Sequence, residues 1–225
     1  MDQKKLYNST IPCPVCSQPF EATKVRRGSY RATGQDSDFA AHYEGLNPIF
    51  YAVFVCPHCG YAALQNSFAN VGPKEKLIIT QKITPHWKPK NYGGERTLDS
   101  ALDTFKLALY VLQLCNAKSS EIAAICIRIA WIYRWKGDPR ETEFLKYALE
   151  YYCEAYQTED LPIGKLDGPH CIYLIAELHR KTGNIEEATQ WFSRLFASPE
   201  ARQDHRLMDM ARDQYQLIKD LKQNP

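Results

Sequence analysis

The spacing of apolar positions changes character along the chain, and the change divides it. From Thr97 onward Leu98, Ala101, Leu102, Phe105, Leu109 and Leu112 recur at helical spacing. A second helix is predicted from Ile122 to about Lys136, with Ser119 or Ser120 able to cap it and Gly137-Asp138-Pro139 ending it. Further helices are predicted over Glu141 to Tyr156, His170 to Lys181, Ile185 to Phe196 and Ala201 to Leu221. Leu161 to Gly168 reads as a loop, and Gly183-Asn184 as a turn. Six helices joined by short turns make helical hairpins.

The first 66 residues follow a shorter period. Glu21 to Ala32 alternates loosely, carries Thr23, Val25 and Tyr30, and is broken by Gly28, which predicts a hairpin. Ile49-Phe50-Tyr51-Ala52-Val53-Phe54-Val55 is the strongest strand signal, with both faces covered, and Tyr61 to Leu64 is expected to pair back on it. Between the two regions, Gly72-Pro73 opens a short amphipathic helix through Leu77, Ile78 and Ile83. Pro85 to Gly94 then breaks regular structure. The expected organisation is a small β module over 1–66, a connector over 67–97 and a helical domain over 98–225.

Four cysteines sit in the β module as Cys13-Pro14-Val15-Cys16 and Cys56-Pro57-His58-Cys59-Gly60. A Cys-x-x-Cys turn presents two thiolates on one side of a tight loop, and two such turns complete a tetrahedron for Zn²⁺. Pro stiffens each turn, and Gly60 permits a positive φ. One structural Zn²⁺ on Cys13, Cys16, Cys56 and Cys59 is therefore expected. The 39 residues between the pairs exceed the usual ribbon spacing, so the module carries an insertion. Four thiolates close the coordination sphere and leave no position for an activated water. Asp36, Asp38, His42 and His58 are accordingly not expected to be catalytic, with His58 exposed or supporting the knuckle.

Charge changes the picture modestly. The net charge of the 225-residue chain is +2. Residues 1–97 hold 12 Lys/Arg against 7 Asp/Glu, and residues 98–225 hold 16 against 19, as two units with different surfaces would. Lys24, Arg26, Arg27 and Arg31 make the expected hairpin basic. With Tyr30 alone able to stack, a solvated hairpin is favoured over a nucleic-acid contact. No apolar run follows Met1-Asp2-Gln3-Lys4-Lys5, so no signal peptide is expected, and no stretch is long enough to span a membrane. Of the eight cysteines, Cys115, Cys126, Cys153 and Cys171 lie singly in helical patterns as small core residues, which suits a reducing cytosol. No phosphate loop, serine elbow or His-Glu zinc motif is present, so no enzyme is expected.

The hairpins repeat. Ile172, Ile175, Ala176, His179, Gly183, Ala188 and Phe192 fall in an order that resembles the tetratricopeptide pattern. Cys126, Ile129, Ala130, Tyr133 and Gly137 match its first helix; Ala148, Tyr152 and Ala155, and Ala101, Phe105 and Ala108, match its second. Spacings of 47 and 40 between Ala101, Ala148 and Ala188 make the array irregular. The stretches CPVC, YEGLNPIFYAVFVCPHCGYAA (43–63), SEIAAICIRIAWIYRWKGD (120–138) and YLIAELHRKTGNIEEATQWFSRL (173–195) resemble domain-of-unknown-function family 2225 over nearly the full length. The expected fold is mainly α, with a small β zinc-ribbon-like N-terminal module followed by an irregular tetratricopeptide-like array of helical hairpins. The family supplies no activity.

The tetratricopeptide resemblance implies a concave face. Carried over, its positions are Ala124, Ile127, Arg128, Trp131, Arg134 and Trp135 on one helix. On the next they are His170, Tyr173, Leu174, Glu177, Arg180 and Lys181. Arg128, Trp131, Arg134, Trp135, Tyr173, Glu177, Arg180 and Lys181 are the partner-binding candidates, and their cations favour an acidic peptide segment. The function expected is a non-enzymatic cytosolic adaptor with a protein partner. The alternatives are a nucleic-acid-associated factor and a thiol-redox or zinc-responsive protein.

Overall fold

The computed structural model describes residues 5–223. The first two strands are β1 (Leu6–Pro12) and β2 (Pro19–Val25), antiparallel with Ile11 opposite Phe20 and Pro12 opposite Pro19. They close around the first cysteine turn. The hairpin expected across Gly28 does not form. β3 (Tyr30–Gln35) pairs instead with β4 (Ala41–Gly45). The reason lies in burial: β2 hides Phe20, Ala22 and Thr23, whereas β3 is exposed along almost its whole length and has no apolar face to lay against β2.

The strong apolar run before the second cysteine turn is also divided. Asn47 accepts a hydrogen bond from the Ile49 N–H, and Pro48 starts a single 3₁₀ turn over Pro48–Tyr51. Only Val53–Val55 remains extended as β5, paired antiparallel with β6 (Ala62–Leu64), as expected for the segment after the second turn.

α1 (Pro73–Lys82) begins with its proline at the first helical position. α2 (Leu98–Leu114) is capped by the Thr97 hydroxyl, which accepts from the Ser100 N–H. Then follow α3 (Ser119–Lys136), α4 (Arg140–Thr158), α5 (Gly168–Lys181), α6 (Ile185–Ala197) and α7 (His205–Gln223). The last begins four residues later than expected, because Ala201–Gln203 forms a separate 3₁₀ turn and the Asp204 carboxylate caps α7 through the Leu207 N–H. The fold is mainly α, with strand pairs confined to the N-terminal region.

The chain divides into two compact units, but not at residue 97. The first takes the residues up to Gly34, Ala41–Ala117 and Trp131–Gly137; the second takes Gln35–Ala40, Lys118–Ala130 and everything from Asp138. α2 belongs with the strands because its buried face (Ala101, Leu102, Phe105, Ala108) packs on β5, β6 and the Pro48–Tyr51 turn. Arg96, just before α2, fixes the connector there. Its guanidinium donates to the carbonyls of Tyr92, Phe50 and Val53, and its N–H donates to the Tyr51 hydroxyl. Burial lowers its pKa to about 10. The second unit is built on α4 to α7, packed in succession around Tyr173, Ala176, Ala188, Phe192, Leu207 and Ile218.

This division sharpens the charge split. The first unit holds 15 Lys/Arg against 7 Asp/Glu, a net +8, and the second 13 against 19, a net −6.

Candidate metal centre

Each Cys-x-x-Cys sits in a turn with the same backbone bonds. The Cys13 N–H donates to Gln18 O and its carbonyl accepts from Ser17 N; the Cys56 N–H donates to Tyr61 O and its carbonyl accepts from Gly60 N. The residue after each second cysteine is left-handed, Ser17 at φ 61° and Gly60 at φ 78°. That conformation reverses the chain, so the flanking strands pair back while both thiols point to one side.

The β1–β2 and β5–β6 pairs bring the turns together. Cys13 Sγ lies 3.6 Å from Cys59 Sγ, Cys16 Sγ 3.7 Å from Cys56 Sγ, and all four sulfurs lie within 4.8 Å of one another. A tetrahedral ion with metal–sulfur bonds of 2.3 Å needs sulfurs about 3.8 Å apart. The donor set therefore fits a metal ion as it stands. Cys13, Cys56 and Cys59 are buried and Cys16 is half-buried.

The electrostatics agree. Hydrogen bonding from Cys13 and then Cys59 pulls the Cys56 thiol far below its ordinary range. Hydrogen bonding to Cys56 lifts Cys13, and hydrogen bonding to Cys13 and Cys56, with burial, lifts Cys59. Without a cation the Cys56 thiolate thus stands beside two thiols, Cys13 and Cys59, that resist ionisation. A dication removes that conflict by stabilising every thiolate at once.

Neighbouring residues hold the centre in place. Trp87 Nε1 donates to Pro57 O at 2.8 Å, and the indole lies over Gly60, where an added Cβ would come within 2.7 Å of it. Thr84 Oγ1 donates to Cys59 O at 3.3 Å. His58 is exposed, with Nε2 3.3 Å from Pro19 O, and belongs to the support of the knuckle. Among the described residues no other set of His, Cys, Asp and Glu gathers at metal-binding distance. Trp87 and Ser17 were not singled out by the sequence; the only signal for Ser17 was its position after Cys16, matching Gly60 after Cys59.

The four helical cysteines behave as small core residues. Cys126 and Cys171 are buried, Cys115 and Cys153 half-buried. Burial pushes the thiols of Cys126 and Cys171 to about 12 and that of Cys153 to about 11.

The residues expected to line a partner groove are divided between the two units. Trp131, Arg134 and Trp135 fall in the first unit, and Arg128, Tyr173, Glu177, Arg180 and Lys181 in the second. Trp131 is buried, Trp135 packs 5.8 Å from Phe50, and the Arg128 guanidinium turns back on Ala124 O. On α5, Tyr173 and Glu177 are fully buried. The chain's own Gln35–Ala40 segment covers them. Ser37 Oγ donates to Glu177 Oε1 at 2.5 Å, Tyr173 Oη donates to Ser37 O at 2.8 Å, and Phe39 packs 5.2 Å from the Tyr173 ring. Arg180 closes a bidentate pair on Glu177 at 2.7 and 2.8 Å, with Lys181 4.0 Å away. A buried carboxylate needs such partners, and they use up the donors that the resemblance assigned to a ligand. Asp38, not expected to be catalytic, is also fully buried. His42 is exposed on β4.

No helix among the described residues is long and apolar enough to cross a membrane. No solved structure matches the chain. An uncharacterized protein of Borreliella burgdorferi is 26% identical over 172 residues, covering 65% of this chain. The chain in turn spans 60% of the length of that relative. The family model described as "uncharacterized protein conserved in bacteria", DUF2225, matches residues 6–218, and the chain belongs to that family.

Proposed function

We infer that this chain is a non-catalytic cytosolic adaptor: a first unit knit by one structural Zn²⁺, and a second unit of tetratricopeptide-like helical hairpins that holds a protein partner. The observation that carries it is the donor set. Four cysteine sulfurs from two turns, three of them buried, take every position of a tetrahedral ion and leave none for a substrate or water. Such a site contributes folding energy to a strand region whose pairs are only two strands wide. The positions of the hairpin pattern support the second half: Ala148, Tyr152, Ala155, Ile175, Ala176, Ala188 and Phe192 are all core residues.

The test has two arms. Protein purified without chelator should carry one zinc per chain by elemental analysis; protein without zinc overturns the metal assignment. Crosslinking in cells that produce the chain should yield a partner that re-forms a defined complex from purified components. If no crosslinked protein reconstitutes, the adaptor reading falls.

A second reading is favoured by one observation. The first unit's net +8 is unlike the rest of the chain, and its exposed Arg26 lies 5.1 Å over the ring of exposed Tyr7, beside Lys24 and Arg27. Cations next to an exposed ring suit single-stranded nucleic acid. Binding that falls steeply between low and physiological salt, and that Arg26→Glu with Arg27→Glu abolishes, would support it; binding insensitive to both would reject it.

A further inference from the structure

The second unit is acidic overall, yet one concave region on it is lined by cations alone among charged groups. It measures about 590 Å³ and lies between the end of α6, the Ala201–Gln203 turn and α7. Phe196, Met208 and Tyr215 supply its apolar lining, and Arg202, Arg212 and Lys219 its charges. Met208, Arg212, Tyr215 and Lys219 share one face of α7 by helical spacing.

The cations are held ready rather than neutralised. Arg202 spends only its Nε, which donates to Phe196 O at 3.2 Å, leaving both terminal nitrogens of its fork. The Lys219 ammonium lies 5.1 Å over the Tyr215 ring. Neither has a carboxylate partner among the described residues. Arg212 pairs with Asp209 at 2.7 Å, but both side chains are more than 60% exposed, and such a pair exchanges easily with another carboxylate. Below them the rings are fixed: Phe196 meets Tyr215 edge-on at 5.5 Å and stacks with buried Phe192 at 6.4 Å.

We propose that this pocket is the docking site for an acidic peptide segment, one that sets an aromatic or aliphatic side chain on Phe196, Met208 and Tyr215 and offers carboxylates to Arg202, Arg212 and Lys219. The proposal rests on the adaptor reading and gives it a site, in place of the α5 face that Gln35–Ala40 covers. The α7 face from Met208 to Lys219 is about 16 Å long, the reach of roughly five extended residues. A pocket of this volume takes one large side chain and its neighbours. A long polyanion fits less well, because the acidic unit around the pocket repels it beyond the three cations.

Fluorescence anisotropy with a fluorescein-labelled Glu-Asp-Phe-Glu-Leu-Asp peptide tests it on the full metal-loaded chain. The wild type should bind this peptide and not the version with Lys at every acidic position. Arg202→Glu with Lys219→Glu should weaken binding about tenfold or more, because each reversal turns an attraction into a repulsion. Arg202→Gln with Lys219→Gln should fall between. Both pairs are exposed, so helicity and melting should not change. Arg206→Glu with Lys146→Glu, exposed on the same unit outside the pocket, should leave affinity within twofold. No binding by the wild type in about 50 mM salt, or equal binding by the Arg202/Lys219 variant, overturns the proposal. A crosslinked partner that reconstitutes equally well with that variant removes the pocket and leaves the adaptor reading standing. Peptide binding without any reconstituting partner removes the adaptor and leaves the pocket.

Discussion

The two cysteine turns make the same bonds from different sequences. In both, the first cysteine's N–H and carbonyl are bonded to the residues five and four positions on, and the residue after the second cysteine is left-handed. The second turn meets that last demand with Gly60, the first with Ser17. What differs is what lies above. Trp87 covers Gly60 so closely that a Cβ would overlap its ring, and it is pinned there by its bond to Pro57 O. Ser17 is exposed, with room for its side chain. The thiolate geometry therefore demands a left-handed residue, and the packing above it decides whether that residue must be glycine.

The largest effect should come from taking away what the turns share. Cys13→Ser with Cys16→Ser leaves two thiolates, too few for a closed site. Apparent zinc affinities of isolated finger peptides are worth roughly 10–16 kcal/mol, which is folding energy for a metal-dependent unit. The expected result is loss of the ion and of hydrogen-exchange protection in β1, β2, β5 and β6, while α4 to α7 stay protected. Cys56→Ser with Cys59→Ser should do the same to the same extent. A pair whose loss spares the strands would show that the turns do not share one ion.

Gly60→Ser moves the first turn's residue into the second and breaks the comparison directly. A side chain there meets both a positive φ and the indole at 2.7 Å. The cost should be about 2–3 kcal/mol, from left-handed strain and displacement of Trp87. Urea unfolding of the strand region measures it. In a Trp87→Ala background the extra cost of Gly60→Ser should shrink to the left-handed strain less the freedom that serine removes from the unfolded chain, below about 0.6 kcal/mol, since the double-mutant cycle isolates the contact. An undiminished cost in that background would mean that Trp87 is not the reason for the glycine.

What could be read from the sequence was whatever local spacing carries. The four ligands lie in two short turns, and Thr97, Gly137 and Gly183 each stand as a cap or stop beside a periodic stretch, whereas the Asp167 cap that starts α5 at Gly168 was hidden in an expected loop. What was missed depends on distant partners. β1 reads Leu-Tyr-Asn-Ser-Thr-Ile, too polar to announce itself as the partner of β2. Arg96 looked like one more charge in a connector, yet it bonds carbonyls more than 40 positions away. Ser37 and Asp38 are polar residues beside Asp36, as in a turn, yet Ser37 is bonded to α5 and Asp38 is fully buried. The repeat pattern placed core positions correctly on α4 to α6 but could not foresee that another segment of the chain would lie on α5.

The smallest effect should be the reverse exchange, Ser17→Gly. Relieving a left-handed serine gains about 1 kcal/mol in the folded state. The added freedom of glycine in the unfolded chain takes back about 0.4–1 kcal/mol. The two nearly cancel, so stability should move by less than about 0.5 kcal/mol, and metal content should not move at all. Thermal unfolding of the metal-loaded chain, with elemental analysis, measures both. Set against Gly60→Ser, the same two residue types exchanged between matching positions should differ by at least about 1.5 kcal/mol, and that difference is the contribution of Trp87. A loss above about 1 kcal/mol for Ser17→Gly would mean that the serine hydroxyl itself supports the sulfur cluster, and the turns would then differ in chemistry as well as in packing.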